Sequence, residues 1–370
     1  MQTIKINYTL IFRICAIIGI IVFAYFFPNI IYYLFLAFIL MLIGNPLATS
    51  ICKIKVFNRH ISRTISTVIT IIVFIIVLLV SLFFFVPSLI RELRVFEGFD
   101  YATLLANLNV FLDNIQNFLY NKNLLDKDQT LIGLLENGII QGIDIGSIST
   151  TLGGIVSSTG SFFFGLFSVF FIAFFFIKDD MRVENFLKIF VNKDYVGHLT
   201  QVIEQINHLL SRYLIGTLIK TFIMIVLLYI GFLLFGIRGA LLMAFIGGIT
   251  NIIPYLGPFI GWGIVCVFGL TTSIGNEMYS DILPMLVKVS IMFILANTIE
   301  SLVLTPVIYS LSIKAHPIEV FLVTIIGGQV AGIGGMILGI PVYTIIRIVI
   351  IEIYTFVTKK DKELLPPGKT

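Results

Sequence analysis

Residues 64–86 form an apolar run without a single charge, composed of Val, Ile, Leu, Phe, Thr and Ser. A helix needs about 20 predominantly apolar residues to cross the roughly 30 Å hydrocarbon core of a bilayer. The run is long enough to span, and its length exceeds what an ordinary buried helix segment requires. Comparable runs occupy residues 10–27, 30–43, 154–177, 214–236 and 282–308. Hydrophobic residues make up 58% of the chain and charged residues 12%, against roughly 45–50% and 25% in soluble domains. A water-soluble fold could not cover that much apolar surface, so lipid is the expected solvent. The expected fold is all-α and polytopic, with about eight membrane segments.

The interruptions are as informative as the runs. Pro87 is expected to stop the 64–86 span, and the chain is expected to leave the helix at Asn45-Pro46, because proline removes a backbone donor. Residues 10–27 end at Phe27-Pro28 with no small-residue cleavage site, so they are read as a retained span. Two stretches do not read as simple crossings. Residues 239–270 are centred on Asn251-Ile252-Ile253-Pro254-Tyr255-Leu256-Gly257-Pro258. Residues 320–357 are too long for one crossing and are broken by Gly327, Gly328, Gly332, Gly334, Gly335, Gly339 and Pro341. Each should fold back as a hairpin. Broken backbone at membrane depth is tolerated only against protein or a watery cavity, so Asn251–Pro258 and Gly327–Pro341 are expected to line one common cavity. Ile246-Gly247-Gly248 and Ile326-Gly327-Gly328 make a faint internal repeat, and paired broken segments point to transporter sites. The small-xxx-small pairs Gly257/Gly261, Gly328/Gly332 and Gly335/Gly339 predict close helix packing.

Charge sets the expected orientation. Residues 51–63 hold Lys53, Lys55, Arg59 and Arg63 and no acid, and residues 359–370 hold four lysines against Asp361 and Glu363. Both belong on the cytoplasmic side by the positive-inside rule, with the N-terminus beside them. The organisation read from this is spans 1–3 over 1–87, an extracytoplasmic insertion over 88–150 and a fourth span over 151–177. A cytoplasmic amphipathic helix follows over 178–213, then a transport core over 214–358 and a tail over 359–370. The insertion carries an apolar stripe from Leu104 to Leu119, and residues 196–213 carry another that includes Leu210 and Tyr213.

Enzyme chemistry finds little support. The chain has no HExxH, no GxSxG and no Rossmann glycine pattern. Cys15, Cys52 and Cys266 and the four histidines show no metal-ligand spacing. Asp179-Asp180 marks where a span leaves the membrane. No cofactor is expected, and no basic stripe interleaved with aromatics suggests nucleic acid.

Ionisable groups inside apolar spans are costly and are functional candidates by default. Lys220, Lys288, Arg347 and Glu352 are expected to snorkel to an interface. Glu300 has a short side chain and lies deep in the 282–308 run. Asn297, Glu300 and Ser301 share one helix face at i, i+3 and i+4, with Thr305 and Pro306 at the following break. This polar stripe reads as a proton or cation relay or a hydrogen-bonding wall for a polar substrate; the alternative is an interhelical clamp. The candidate pathway comprises Glu300, Asn297, Ser301, Thr305, Asn251, Pro254, Tyr255, Gly257 and Gln329.

Three motifs carry a likeness to a known family. Tyr213-Leu214-Ile215-Gly216, the Asn251–Pro258 block, and Glu300-Ser301-Leu302-Val303-Leu304-Thr305-Pro306 followed by His316-Pro317 occur in that order. The chain resembles the autoinducer-2 exporter family of bacterial permeases, also called PerM-like, whose motifs are YLxGQ, NxIPYxGP and ENxVLTP…HP. Two positions depart from the pattern: Thr217 replaces the family's Gln and Ser301 its Asn. The resemblance implies a multi-pass exporter of the bacterial cytoplasmic (inner) membrane without an ATP-binding domain. It also implies a homo-oligomer, with a pentamer among the stoichiometries. Export of a small polar solute, sodium/proton antiport through Glu300 and a non-transporting scaffold are the functions the residues leave open.

Overall fold

The computed structural model describes residues 25–56, 59–97, 159–179, 195–274, 282–306 and 316–364, with isolated positions between 18 and 23 and between 184 and 191. The elements are α1 (Pro28–Cys52), a two-residue antiparallel ladder of β1 (Lys55–Val56) and β2 (Arg59–His60), α2 (Arg63–Glu97), α3 (Thr159–Lys178), α4 (Val196–Leu234), α5 (Ala240–Thr250), α6 (Gly257–Ile274), α7 (Ile282–Ile299) and α8 (Pro317–Leu364). A π-helical turn, Glu300–Leu304, extends α7. Among the described residues, six helices are long and apolar enough to cross a membrane, while α5 and the start of α6 are shorter apolar helices. The molecule is thus a polytopic all-α protein. Most of the 10–27 run, the insertion beyond Glu97 with its Leu104–Leu119 stripe, and residues 365–370 of the tail lie outside the described residues.

Two bundles organise the chain. In the first, α1 packs on α2 and α3. Ala37, Met41, Gly44 and Ala48 recur at i, i+4, i+7 and i+11, the spacing of one helix face, and meet a matching stripe of Val169, Ala173 and Ile177 on α3. Arg63 locks the ends together: its Nε and Nη2 donate to the Ile177 carbonyl at 3.2 and 2.9 Å, its Nη1 donates to Thr49 Oγ1 at 3.0 Å, and Nη2 also reaches Asn45 Oδ1. The second bundle joins α4, α5, α6 and α7 around Met224, Leu228, Phe232, Met243, Val265, Val289 and Phe293.

Neither Pro46 nor Pro87 ends its helix, contrary to the sequence expectation. At Pro46 the reason is visible. Proline deprives the Leu42 carbonyl of its donor four residues on, and the Ser211 hydroxyl of α4 donates to that carbonyl instead, at 2.5 Å. Ser211→Ala should therefore destabilise the protein by about 1–3 kcal/mol, the cost of a stranded buried acceptor. In a Pro46→Ala background the same substitution should cost far less, because the backbone donor returns. Thermal unfolding of the four variants tests this, and equal costs in both backgrounds would contradict it.

The amphipathic stretch and the following span form one continuous helix, α4, about 58 Å long at 1.5 Å per residue. No proline interrupts it. Just upstream, Lys188 and Thr200 hydrogen-bond Glu184 and hold its carboxyl below the usual range.

Both expected hairpins are present. Helices α5 and α6 fold back through residues 251–256. Helix α8 breaks at Ala331 (φ −141°) and Gly332 (φ +58°, ψ −142°). Its arms, 317–330 and 333–364, lie so close that a Cβ on Gly335 would stand 1.9 Å from the Gly327 carbonyl oxygen. Glu319 accepts from the Tyr343 hydroxyl and lies 3.7 Å from Arg347 Nη1 at the open end of that hairpin.

Candidate functional site

Helix α4 carries Thr217, Lys220 and Thr221 on one face, at i, i+3 and i+4. Lys220 is 2% exposed, and its Nζ donates to Glu300 Oε1 at 2.9 Å. It is therefore a buried partner of Glu300, and the snorkelling expected from its place in the span is incorrect. The other carboxylate oxygen, Oε2, accepts from Asn251 Nδ2 at 2.6 Å. Two of the three motif segments thus meet at one carboxylate, and Lys220, four residues beyond Gly216 of the other motif, joins them. A buried ion pair costs desolvation of both charges and persists when geometry and further hydrogen bonds compensate; Asn251 supplies such a bond.

Close packing places Asn251. A Cβ on Gly248 would approach the Ile225 backbone nitrogen at 2.9 Å, seating α5 directly on α4. A Cβ on Gly257 would meet the Thr250 carbonyl oxygen at 2.1 Å, so the chain can reverse this tightly only with glycine there. Leu256 N donates to the Pro254 carbonyl at 2.7 Å around Tyr255, whose φ of +62° is unusual for a residue with a side chain. Such outliers cluster at functional sites. The π turn at Glu300 belongs to the same category: π segments inside helices recur at functional sites.

Beside the ion pair lies a cavity of about 840 Å³, within the range of small-molecule sites. Its polar wall is Lys220, Asn251, Asn297, Thr298, Glu300, Ser301 and Thr305; Pro254, Tyr255, Pro258, Phe259, Trp262, Phe293 and Ile294 supply most of the apolar wall, and Pro317, Val320 and Ile340 of α8 also contribute. Trp262 Nε1 donates to Ser290 Oγ at 3.0 Å, tying α6 to α7. Tyr255 also touches Phe321 of α8 edge-on, with ring centroids 6.3 Å apart.

The structure brings Glu300, Asn297, Ser301, Thr305, Asn251, Pro254 and Tyr255 to this cavity. Gly257 is a packing position beneath the turn, and Gln329 lies exposed near the tip of α8, away from the cavity. Of the Gly327–Pro341 stretch expected to line the cavity with Asn251–Pro258, Ile340 alone does so; α8 otherwise meets the cavity through Pro317 and Val320, because the glycine-rich tip packs arm against arm. Arg347 and Glu352 pair with Glu319 and His198, and Lys288 is exposed. Sequence reasoning missed Lys220, Phe259, Trp262, Ser290 and Thr298. For Lys220 a signal existed in the flanking threonines, which extend its charge into a polar stripe matching that of Asn297, Glu300 and Ser301.

Among the described residues, the Oγ1 atoms of Thr217 and Thr221 and Oδ1 of Asn297 are buried without hydrogen-bond partners. Thr217 is one of the two departures from the family motifs. Its hydroxyl is shorter than the glutamine side chain of the motif and leaves polar capacity unused beside Lys220. The other departure, Ser301, is exposed and donates to the Asn297 carbonyl at 2.7 Å. Histidines, cysteines and acids form no metal-binding group among the described residues.

Residues 14–355 match the family described as "AI-2E family transporter". YrrI of Bacillus subtilis (strain 168), provisionally named a transport protein, is 31% identical over 182 residues, 49% of this chain and 49% of its own length. YueF of the same organism, named likewise, is 26% identical over 238 residues, 64% of this chain and 60% of its own length. PerM of Escherichia coli (strain K12), provisionally named a permease, is 24% identical over 178 residues, 48% of each chain. The chain thus spans about half the length of the curated relatives it matches. With the family match covering both hairpins, the ion pair and the spans around them, the chain belongs to the AI-2E transporter family.

Proposed function

We propose that this protein is a secondary transporter that exports a small polar solute, such as an autoinducer-2-like signal, across the bacterial cytoplasmic membrane. The observation that carries this reading is the buried Lys220–Glu300–Asn251 network at the wall of a cavity flanked by two broken hairpins. A group that can exchange a proton, placed beside a solute-sized space, is what coupling to an ion gradient requires. The chain carries no phosphate-binding glycine loop, which accords with an ATP-independent cycle. Loop charge favours a cytoplasmic location for both termini.

Sodium/proton antiport is the weaker reading. Lys220 and Asn251 already donate to the two oxygens of the Glu300 carboxylate, so a sodium ion would share its one anionic ligand with an ammonium group, whose like charge opposes it. A scaffold gains little from two charges buried inside its spans, since their desolvation offsets much of what a clamp between helices contributes. The test is the purified protein in vesicles, with proton, sodium and autoinducer-2 fluxes measured in parallel. Solute flux coupled to a proton gradient is the expected result. Sodium-for-proton exchange without solute flux supports antiport, and no flux of any kind overturns transport.

A further inference from the structure

The cavity is long, and its chemistry is uneven along that length. Along α7 and the π turn that extends it, the lining runs from Ser290 to Thr305, roughly 20 Å at about 1.5 Å per residue. The polar groups gather toward the Thr305 end, around Glu300 and Ser301. Toward Ser290 the wall is Phe259, Trp262, Phe293 and Ile294, with Phe259 74% and Ile294 66% exposed. The two polar atoms at that end are consumed by each other, because the Trp262 indole donates to Ser290 Oγ while that hydroxyl donates to the Leu286 carbonyl. From α8 the lining takes Pro317, Val320 and Ile340, all apolar.

A compact polyol would satisfy one end of this space and leave the aromatic end uncovered, at a cost of about 25 cal/mol for each Å² of apolar surface left to water. A solute with an apolar body covers that surface. The head it presents to Glu300 must carry no net charge. Lys220 and Glu300 already neutralise each other, and a third charge would stand unbalanced where desolvation is expensive.

We infer that the solute class of this cavity is a neutral amphiphile, with an uncharged polar head at the Lys220–Glu300 end and an apolar body along Trp262 and Ile294. The inference rests on the transport reading of the same cavity and changes its solute: one with an apolar body takes the place of a compact polyol of the autoinducer-2 kind.

Trp262 is the chain's one tryptophan, so no other tryptophan of the chain contributes to the emission from the apolar end, and empty nanodiscs supply the blank. The protein, reconstituted in lipid nanodiscs, is titrated with 1,2-octanediol, octanoate, octylammonium and ribose. The diol should give a saturable emission change, with half-saturation at least about tenfold below that of either charged analogue, as an unbalanced buried charge requires. Ribose should give none. Ile294→Ser, at an exposed position where folding is not at stake, should raise the half-saturating diol concentration several-fold. A diol signal that grows in proportion to membrane-dissolved diol without saturating, equal response to the charged analogues, or saturation by ribose overturns the inference. Vesicle flux separates the two readings. Saturable diol binding with no flux of any solute removes the transport reading and leaves the amphiphile site standing. Ribose flux with no diol response does the reverse.

Discussion

Lys220→Met should destabilise the folded protein by about 3–5 kcal/mol, because it strands the Glu300 carboxylate in a buried setting. Lys220 is 2% exposed and 2.9 Å from that carboxylate, so neither water nor another described ion pair takes its place. Glu300→Gln alone should also destabilise, since it strands the ammonium. The combination Lys220→Met/Glu300→Gln removes both charges and keeps a carbonyl oxygen for Asn251 Nδ2. Buried ion pairs replaced by neutral groups of similar volume are often no less stable, so most of the loss should return in the double variant. The measurement is a double-mutant cycle by thermal unfolding in detergent. Additive losses would mean that the two side chains do not act as a pair.

The second large effect concerns the α8 hairpin. Gly335→Ala places a Cβ 1.9 Å from the backbone oxygen of Gly327, and no rotamer change can relieve a clash with backbone. The two arms must separate, at a cost of about 1–3 kcal/mol or more. Its neighbour supplies the control. A Cβ on Gly334 meets nothing within 4 Å, and alanine favours helix over glycine by roughly 1 kcal/mol, so Gly334→Ala should be neutral or stabilising. Solute flux should fall with stability in the Gly335 variant only, because Pro317, Val320 and Ile340 ride on these arms. Equal behaviour of the two adjacent substitutions would remove tight arm packing from the account.

These contacts show what could be read from the chain alone. The spans were legible because long uncharged runs have few other destinations, and the hairpins because Gly332 and the 251–258 block break any helix. The helix ends at Pro46 and Pro87 were misplaced. A proline removes a donor, but whether the helix stops depends on what replaces it, and at Pro46 the replacement is Ser211 from a helix distant in sequence. Glu300 and Asn251 stood out as polar residues among apolar ones. Lys220 did too, yet its length allowed an interfacial reading, and only the packing of α4 against α7 decides which way it points. Gln329 belongs to the Gly327–Pro341 stretch expected to line the cavity. It misses the cavity because that hairpin meets it through Pro317, Val320 and Ile340, and Gln329 lies near the other end. Trp262 gave no signal at all, since an aromatic in an apolar run is ordinary until a cavity lies beside it.

The central claim is that the Lys220–Glu300 pair couples solute movement to an ion gradient. Proton-gradient-driven solute flux in vesicles, compared between wild type and Lys220→Met/Glu300→Gln, tests it most directly, because the double variant is expected to fold with near wild-type stability. The account predicts that the variant loses gradient-driven accumulation while solute still equilibrates down its own gradient. Full gradient-driven accumulation in the double variant would contradict it and leave the ion pair as a structural clamp between α4 and α7.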